Sequence, residues 1–353
     1  MTSARLGLLV AACLSGLTGC AHLGPRSVAV DRSGYSESIA ESWKQQTLLN
    51  IVKLRYVDLP VFVDVSSIVA GYSLETSVTM GGTAYLGGAQ ADSAVPGASG
   101  RYTDRPTITY LPMTGEKFLR GLLMPIDPKS IFSMLQSGYA ADFILALTVD
   151  SLNGVRNRST ATGMVRAADP EFVRALVLLR DVQAAGALGM RVEQDAARGQ
   201  TAVLFFRRED VGPDIAAKMV EIRRLLHLAD DQPKFSLVYS PVRGAPSELT
   251  VSSRSMLQIM MAFSSYIDVP PAHLAANLAV PSVEGREEGA VRIHSGAEAP
   301  AGAYVAVRYR GTSFWIEDGD LQTKRALSAV MFFFTLVETG NADRAPLITI
   351  PAQ

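Results

Sequence analysis

Three arginines, Arg156, Arg158 and Arg166, cluster beside Asn153-Gly154 and Asn157. Planar guanidinium groups at that density suit a phosphate, a sugar acid or a partner's carboxylate. A charged surface loop produces the same pattern. The four histidines, His22, His227, His273 and His294, each lack a second ligand at metal spacing. Asp230-Asp231 and Glu287-Glu288 are carboxylate pairs, but both fall in polar, turn-like stretches that solvated loops explain better than an acid–base pair. There is no G-x-S-x-G elbow, Walker loop or G-x-G-x-x-G, and the glycine pairs at 81–82 and 87–88 do not open a helix. Met256, Met260 and Met261 suit an adaptable groove, although their helical spacing points to the core. The expectation is a protein that is not an enzyme and holds no cofactor or metal. One reactive side chain remains, the thiol of Cys20, and its surroundings are specific.

Arg5 gives the N-terminus a positive charge, and Leu6 to Leu17 form an apolar run shorter than the ~20 residues of a spanning helix. Leu17-Thr18-Gly19-Cys20 closes that run and resembles the lipobox of bacterial lipoproteins. The resemblance implies cleavage between Gly19 and Cys20, a diacylglyceryl group on the Cys20 sulfur and further acylation of the freed amine. Each buried CH₂ contributes about 0.8 kcal/mol, so two or more chains hold a protein durably. Ala21 follows the cysteine rather than the Asp that retains such proteins at the inner membrane of enteric bacteria. An outer-membrane, periplasm-facing location is therefore expected. The other cysteine, Cys13, falls within the discarded segment, so the mature body is expected to have no free thiol or disulfide.

The chain of 353 residues is 48% apolar, enough for one large or two ordinary domains. Removal of Arg5 with residues 1–19 moves the net charge from −1 to near −2. That balance excludes an electrostatic case for nucleic acid.

Segment 20–34, with its Gly24-Pro25 breaker, reads as a lipidated tether, and Ser36 to Tyr56 as an amphipathic helix stopped at Asp58-Leu59-Pro60. Leu49-Asn50-Ile51-Val52-Lys53-Leu54-Arg55-Tyr56, Asp58, Pro60 and Asp64-Val65 resemble a run in uncharacterised proteobacterial lipoproteins. Arg105-Pro106-Thr107-Ile108-Thr109-Tyr110 and Gly115-Glu116-Lys117-Phe118 are similar to the same set, which implies no activity. Between Gly71 and Arg105, Gly, Ala, Ser and Thr dominate. That stretch reads either as a loose surface hairpin or as a membrane hairpin with arms Tyr72 to Tyr85 and Tyr102 to Leu111. The consecutive polar residues Glu75, Thr76 and Ser77 weigh against the second reading.

Helices are expected over Thr114 to Leu123, from Pro128 behind its cap Asp127, from Pro170 to Gly186, and from Pro213. Phe143 to Val149 reads as a strand. With Leu188 to Val192, Ala202 to Phe206 and Phe235 to Tyr239, it gives the order β-α-β-β-α-β. A second run follows: a strand at Glu248 to Val251, a helix capped by Ser252 or Ser253, three further extended segments, a helix from Leu321 to Val337 ended by Gly340, and a strand at Leu347 to Ile350. The predicted fold class is α+β. Two ferredoxin-like units, 141–242 and 243–353, are expected after an N-terminal helix and hairpin region over 35–140.

The function expected from these features is a lipid-anchored accessory or scaffold component of an envelope complex, with an envelope protein or further copies of itself as partner. An oligomeric pore or export channel built from the 71–112 hairpin is the alternative. An envelope enzyme with a scattered site is a third reading.

Overall fold

The computed structural model describes residues 23–69, 72–83, 93–159, 166–195, 199–207, 211–281 and 291–337. It is a mixed α+β structure, divided into a body (23–60 and 121–337 of the described residues) and a second unit (61–120).

The body begins with helix α1 (Leu23–Arg55). It starts earlier than the sequence suggests and takes in residues expected as tether. Gly24-Pro25 does not break it because both lie in the first turn, where a missing N–H has no intrahelical acceptor to lose. Its C-terminal half is packed: Leu48, Ile51 and Val52 are fully buried.

Six strands form the main sheet: β5 (Val149–Leu152), β6 (Val155–Arg156), β7 (Leu188–Asp195), β8 (Gly199–Phe206), β9 (Lys234–Tyr239) and β10 (Glu248–Ser253). Helices α3 (Pro128–Gln136), α4 (Ala141–Thr148), α5 (Pro170–Ala184) and α6 (Pro213–Leu225) pack successively against one another. Phe143 to Val149, expected as a strand, is helical up to Thr148. A short continuous apolar run does not distinguish a strand from a buried helix, and Ala141, Ile144, Leu145 and Thr148 are buried at helical spacing.

From β5 to β9 the element order is β-β-α-β-β-α-β, and the strands lie in the order β6-β5-β10-β9-β8-β7. In a ferredoxin-like sheet the first strand of the βαββαβ run would lie between the third and the fourth, antiparallel to both. Here β10 separates β5 from β9, and β8 pairs antiparallel with both β7 and β9. The strand expected to open a second unit thus completes the first sheet. β9 and β10 are parallel and are joined by 240–247 without a helix. Gly244 permits this tight return, since a Cβ there would lie 2.7 Å from Glu248 Oε2 and 2.8 Å from Thr250 Cγ2.

Helix α7 (Met256–Ser264) is capped by Ser255, not by Ser252 or Ser253, which lie in β10. Ser255 and Gln258 form a reciprocal capping box. The three-stranded sheet β11 (His294–Gly296), β12 (Ala303–Tyr309) and β13 (Thr312–Glu317) has the order β11-β13-β12. Short α8 (Pro271–Ala275) precedes it and α9 (Leu321–Val337) follows it, with Asp320 accepting from the Thr323 N–H at 2.9 Å. The expected Gly340 stop and the strand at 347–350 lie outside the described residues.

Asn153 joins several of these elements. It sits at φ 47° in the β5–β6 turn and is 1% exposed. Its amide donates to Leu226 O at 2.7 Å and Glu248 O at 3.2 Å, while its Oδ1 accepts from the Thr250 N–H at 2.6 Å and the Thr250 hydroxyl at 3.0 Å. Asn153→Ala leaves these buried groups without that partner. It is expected to cost roughly 3 kcal/mol or more, read as the shift of the urea unfolding midpoint. A loss below about 1 kcal/mol would show that water replaces the amide.

Candidate assembly surface and polar clusters

The second unit is built on two consecutive antiparallel strand pairs. β1 (Phe62–Val69) pairs with β4 (Thr107–Met113), and β2 (Tyr72–Thr83) pairs with β3 (Ser93–Asp104). Helix α2 (Glu116–Leu123) follows β4. Each strand has a single strand neighbour among the described residues. β2 and β3 are a fully paired ribbon, from Tyr72 opposite Asp104 to Thr83 opposite Ser93. The second hairpin arm is therefore Ser93–Asp104, not Tyr102 to Leu111, which is divided between β3 and β4.

This register supplies the alternation that the bare sequence conceals. Directly opposed residues share a face. One face carries the pairs Leu74–Tyr102, Val78–Ala98 and Met80–Pro96. The other carries Glu75–Arg101, Ser77–Ser99 and Thr79–Gly97. The run Glu75-Thr76-Ser77 contributes two residues to the polar face and only Thr76, opposite Gly100, to the apolar one. Ser77 and Ser99 share a hydroxyl hydrogen bond of 2.7 Å, and a Cβ on Gly97 would meet Thr79 Oγ1 at 2.9 Å.

The β1–β4 pair behaves similarly by a different route. The register shifts between Val65 and Ser67, so Ser66 is an extra residue, whose hydroxyl donates to Thr109 O at 3.2 Å. The shift brings Val63–Pro112, Val65–Tyr110 and Ile68–Ile108 onto one face. Tyr110 remains 61% exposed, and Ile108 and Leu111 are also exposed.

In the body, the arginine cluster proves to be internal in large part. Arg166 donates to Asn157 O at 2.8 Å, and the Arg158 guanidinium lies over the Tyr266 ring. Arg156 is exposed, and its backbone N–H donates to the Asp169 carboxylate at 2.8 Å. A residue not singled out in the sequence holds the centre: Arg254 donates to Ala146 O and Leu147 O, each at 3.1 Å, and to Arg158 O. It thereby satisfies the last carbonyls of α4. Burial pushes its guanidinium below the usual value, opposed by Asp150 and Tyr266.

A second cluster surrounds the end of α1. Tyr56 is 4% exposed and its hydroxyl lies 2.7 Å from His273 Nδ1. Asp58 accepts from the Tyr309 hydroxyl and from Arg310 at 3.1 Å, while the Arg310 guanidinium lies over the Tyr56 and Tyr309 rings. Tyr56 and Asp58 are close together in sequence, but their partners come from residues far along the chain. No local spacing signals that meeting. The contacts clasp α1 to α8 and to the β12–β13 turn.

The remaining candidates are separate. His227 closes α6 in the left-handed region at φ 53°. His294 stacks on Trp315 between Asp268, 3.9 Å away, and Glu317, 3.7 Å away. Met256 and Met260 are fully buried core residues. Asp230 and Asp231 are exposed in a turn; Glu287-Glu288, His22, Gly19 and Cys20 lie outside the described residues. Among the described residues no group of three or more His, Cys, Asp or Glu is placed to hold a metal, and no helix is long and apolar enough to cross a membrane. No family model, curated protein or solved structure matches the chain.

Two predictions follow from the clasp. Burial raises the Tyr56 pKa above 10.0, with Arg310 and Arg55 opposing. The folded state keeps the phenolic proton at a pH where the unfolded chain loses it. This contribution is intact below about pH 10 and disappears as pH rises through the folded value. Tyr56→Phe should therefore lose stability less steeply than the native protein in urea melts between about pH 8 and pH 11; parallel declines would contradict this. Separately, Val57 ends α1 at φ 59° with its side chain 80% exposed. Asp58 N donates to Lys53 O and Val57 N to Leu54 O, the bonding of a Schellman cap. Val57→Gly is expected to stabilise by about 1 kcal/mol, measured by thermal unfolding.

Proposed function

We propose that this protein is a lipid-anchored component of the bacterial cell envelope, facing the periplasm from the outer membrane, and that it acts by association rather than by catalysis. The observation that carries this reading is the β2–β3 ribbon, whose outer edges pair with no other strand among the described residues. A two-stranded hairpin alone in water is marginally stable, and unpaired strand edges are templates for further pairing. The body, by contrast, has a fully buried apolar interior that includes Phe132, Phe172, Phe235, Phe263, Phe314 and Phe333. The ribbon is thus the element whose stability asks for a partner. Lipidation at Cys20 would hold that partner-seeking element at a membrane surface, which reduces the entropy lost on meeting an envelope protein or another copy.

Two experiments test the two halves of the proposal. Cys20→Ser should abolish fatty-acid labelling and leave an unprocessed or mislocalised precursor; normal maturation of that variant would falsify the anchor assignment. Replacing 73–103 by a short turn should leave the body folded by circular dichroism and abolish co-purification of partners or further copies from detergent-solubilised membranes. Undiminished recovery of the same assemblies would move the association site elsewhere.

A further inference from the structure

We propose that the partner of the β2–β3 ribbon is the same ribbon on further copies of this chain, and that the copies close into a membrane-spanning β-barrel with the Leu74–Tyr102 face toward lipid and the Glu75–Arg101 face toward the lumen. This rests on the assembly reading above and specifies its partner. Three independent features of the ribbon lead to it.

The first is length. Twelve residues in β2 and twelve in β3 rise about 3.4 Å each, or roughly 41 Å in all. At the 35–45° tilt of membrane barrels, that covers about 30 Å, the thickness of a bilayer's hydrocarbon core. The second is the two-residue alternation fixed by the register over 74–80: Leu74–Tyr102, Val78–Ala98 and Met80–Pro96 share one face with the small pair Thr76–Gly100, and Glu75–Arg101, Ser77–Ser99 and Thr79–Gly97 share the other, with Asp104 at the Tyr72 end of the first face and Val95 on the second. A surface loop has no need of such alternation, whereas a wall between lipid and water requires it. Tyr72 and Tyr102 fall near the end of the ribbon that joins β1 and β4, as an aromatic girdle at the interface would.

The third is symmetry. β2 and β3 run antiparallel and form the two edges of the ribbon. Copies anchored in one leaflet share an orientation, so the β2 edge of one meets the β3 edge of the next antiparallel, with no copy inverted. This is a heterologous contact that closes as a ring. Two strands per copy and the ~8-strand minimum of membrane barrels require at least about four copies. In the bilayer every strand edge must be paired, and closure alone achieves this. Pro96 supplies no ladder donor, so its position in β3 leaves one bond fewer.

The mature chain offers a clean test because its sole cysteine, Cys20, is consumed by the anchor. Single substitutions Leu74→Cys, Val78→Cys and Met80→Cys on one face, and Glu75→Cys, Ser77→Cys and Thr79→Cys on the other, are made in the full lipidated protein. Each is labelled with an environment-sensitive fluorophore after reconstitution into phosphatidylethanolamine–phosphatidylglycerol vesicles. The first three should be quenched several-fold more by lipid-borne nitroxide than by iodide, and the second three the reverse, in alternation along β2. The unsubstituted protein in detergent should size as a ring of at least about four copies. Iodide quenching of all six alike, or a detergent-stable monomer, overturns the barrel. If the 73–103 replacement still strips another envelope protein under those conditions, the assembly reading survives with a different partner. If it strips nothing, both readings fail.

Discussion

The body depends on one buried amide. Asn153 occupies a turn between two short strands, yet its side chain reaches the end of α6 and two positions of β10. β10 lies between β5 and β9, following β9 directly in the chain but coming far after β5. A sheet assembled in that order has no hairpin on either side of β10 to fix its register. The Asn153 amide supplies the missing fixation through bonds that apolar packing alone cannot direct. Buried polar groups of this kind discriminate strongly, because a slipped register would leave several donors and acceptors unsatisfied. Arg254 and Asn157 extend the same arrangement. Asn157 donates to Ala146 O and Val149 O, so the α4–β5 junction is held from two directions.

The two units are stabilised by opposite means. In the body, apolar faces are buried in layers, and Asn153, Asn157 and Arg254 are enclosed with their side chains hydrogen-bonded to backbone. In the second unit, the β2–β3 ribbon is held by its ladder and by small polar contacts such as Ser77–Ser99.

Much of the body was legible because its signals are local. Asp127, Pro170, Pro213 and Asp320 mark helix starts, and Gly186 marks a stop at φ 66°. Strand order was not legible, since nothing local in Glu248–Ser253 says that it inserts between β5 and β9. The clasp of Tyr56 and Asp58 with His273, Tyr309 and Arg310 was hidden for the same reason: each half is unremarkable without the other. The ribbon shows the limit most clearly. Its composition drew attention, but Glu75-Thr76-Ser77 read as a polar block until the opposite strand was placed and Thr76 fell among the apolar pairs.

Ser66 carries a consequence of its own. Val63 and Val65 have odd numbers, while Ile68 and the apolar positions of β2 have even ones, so the chain changes parity at that residue. The inserted Ser66 works as a phase shifter: it lets Val63 and Val65 face the same side as Ile68 although an odd number of residues separates them. Pairing Ser66 regularly, without the bulge, would instead turn Val63 and Val65 to the opposite side from Ile68. Which residues of β1 share the Tyr110 side is thus set by one unpaired residue.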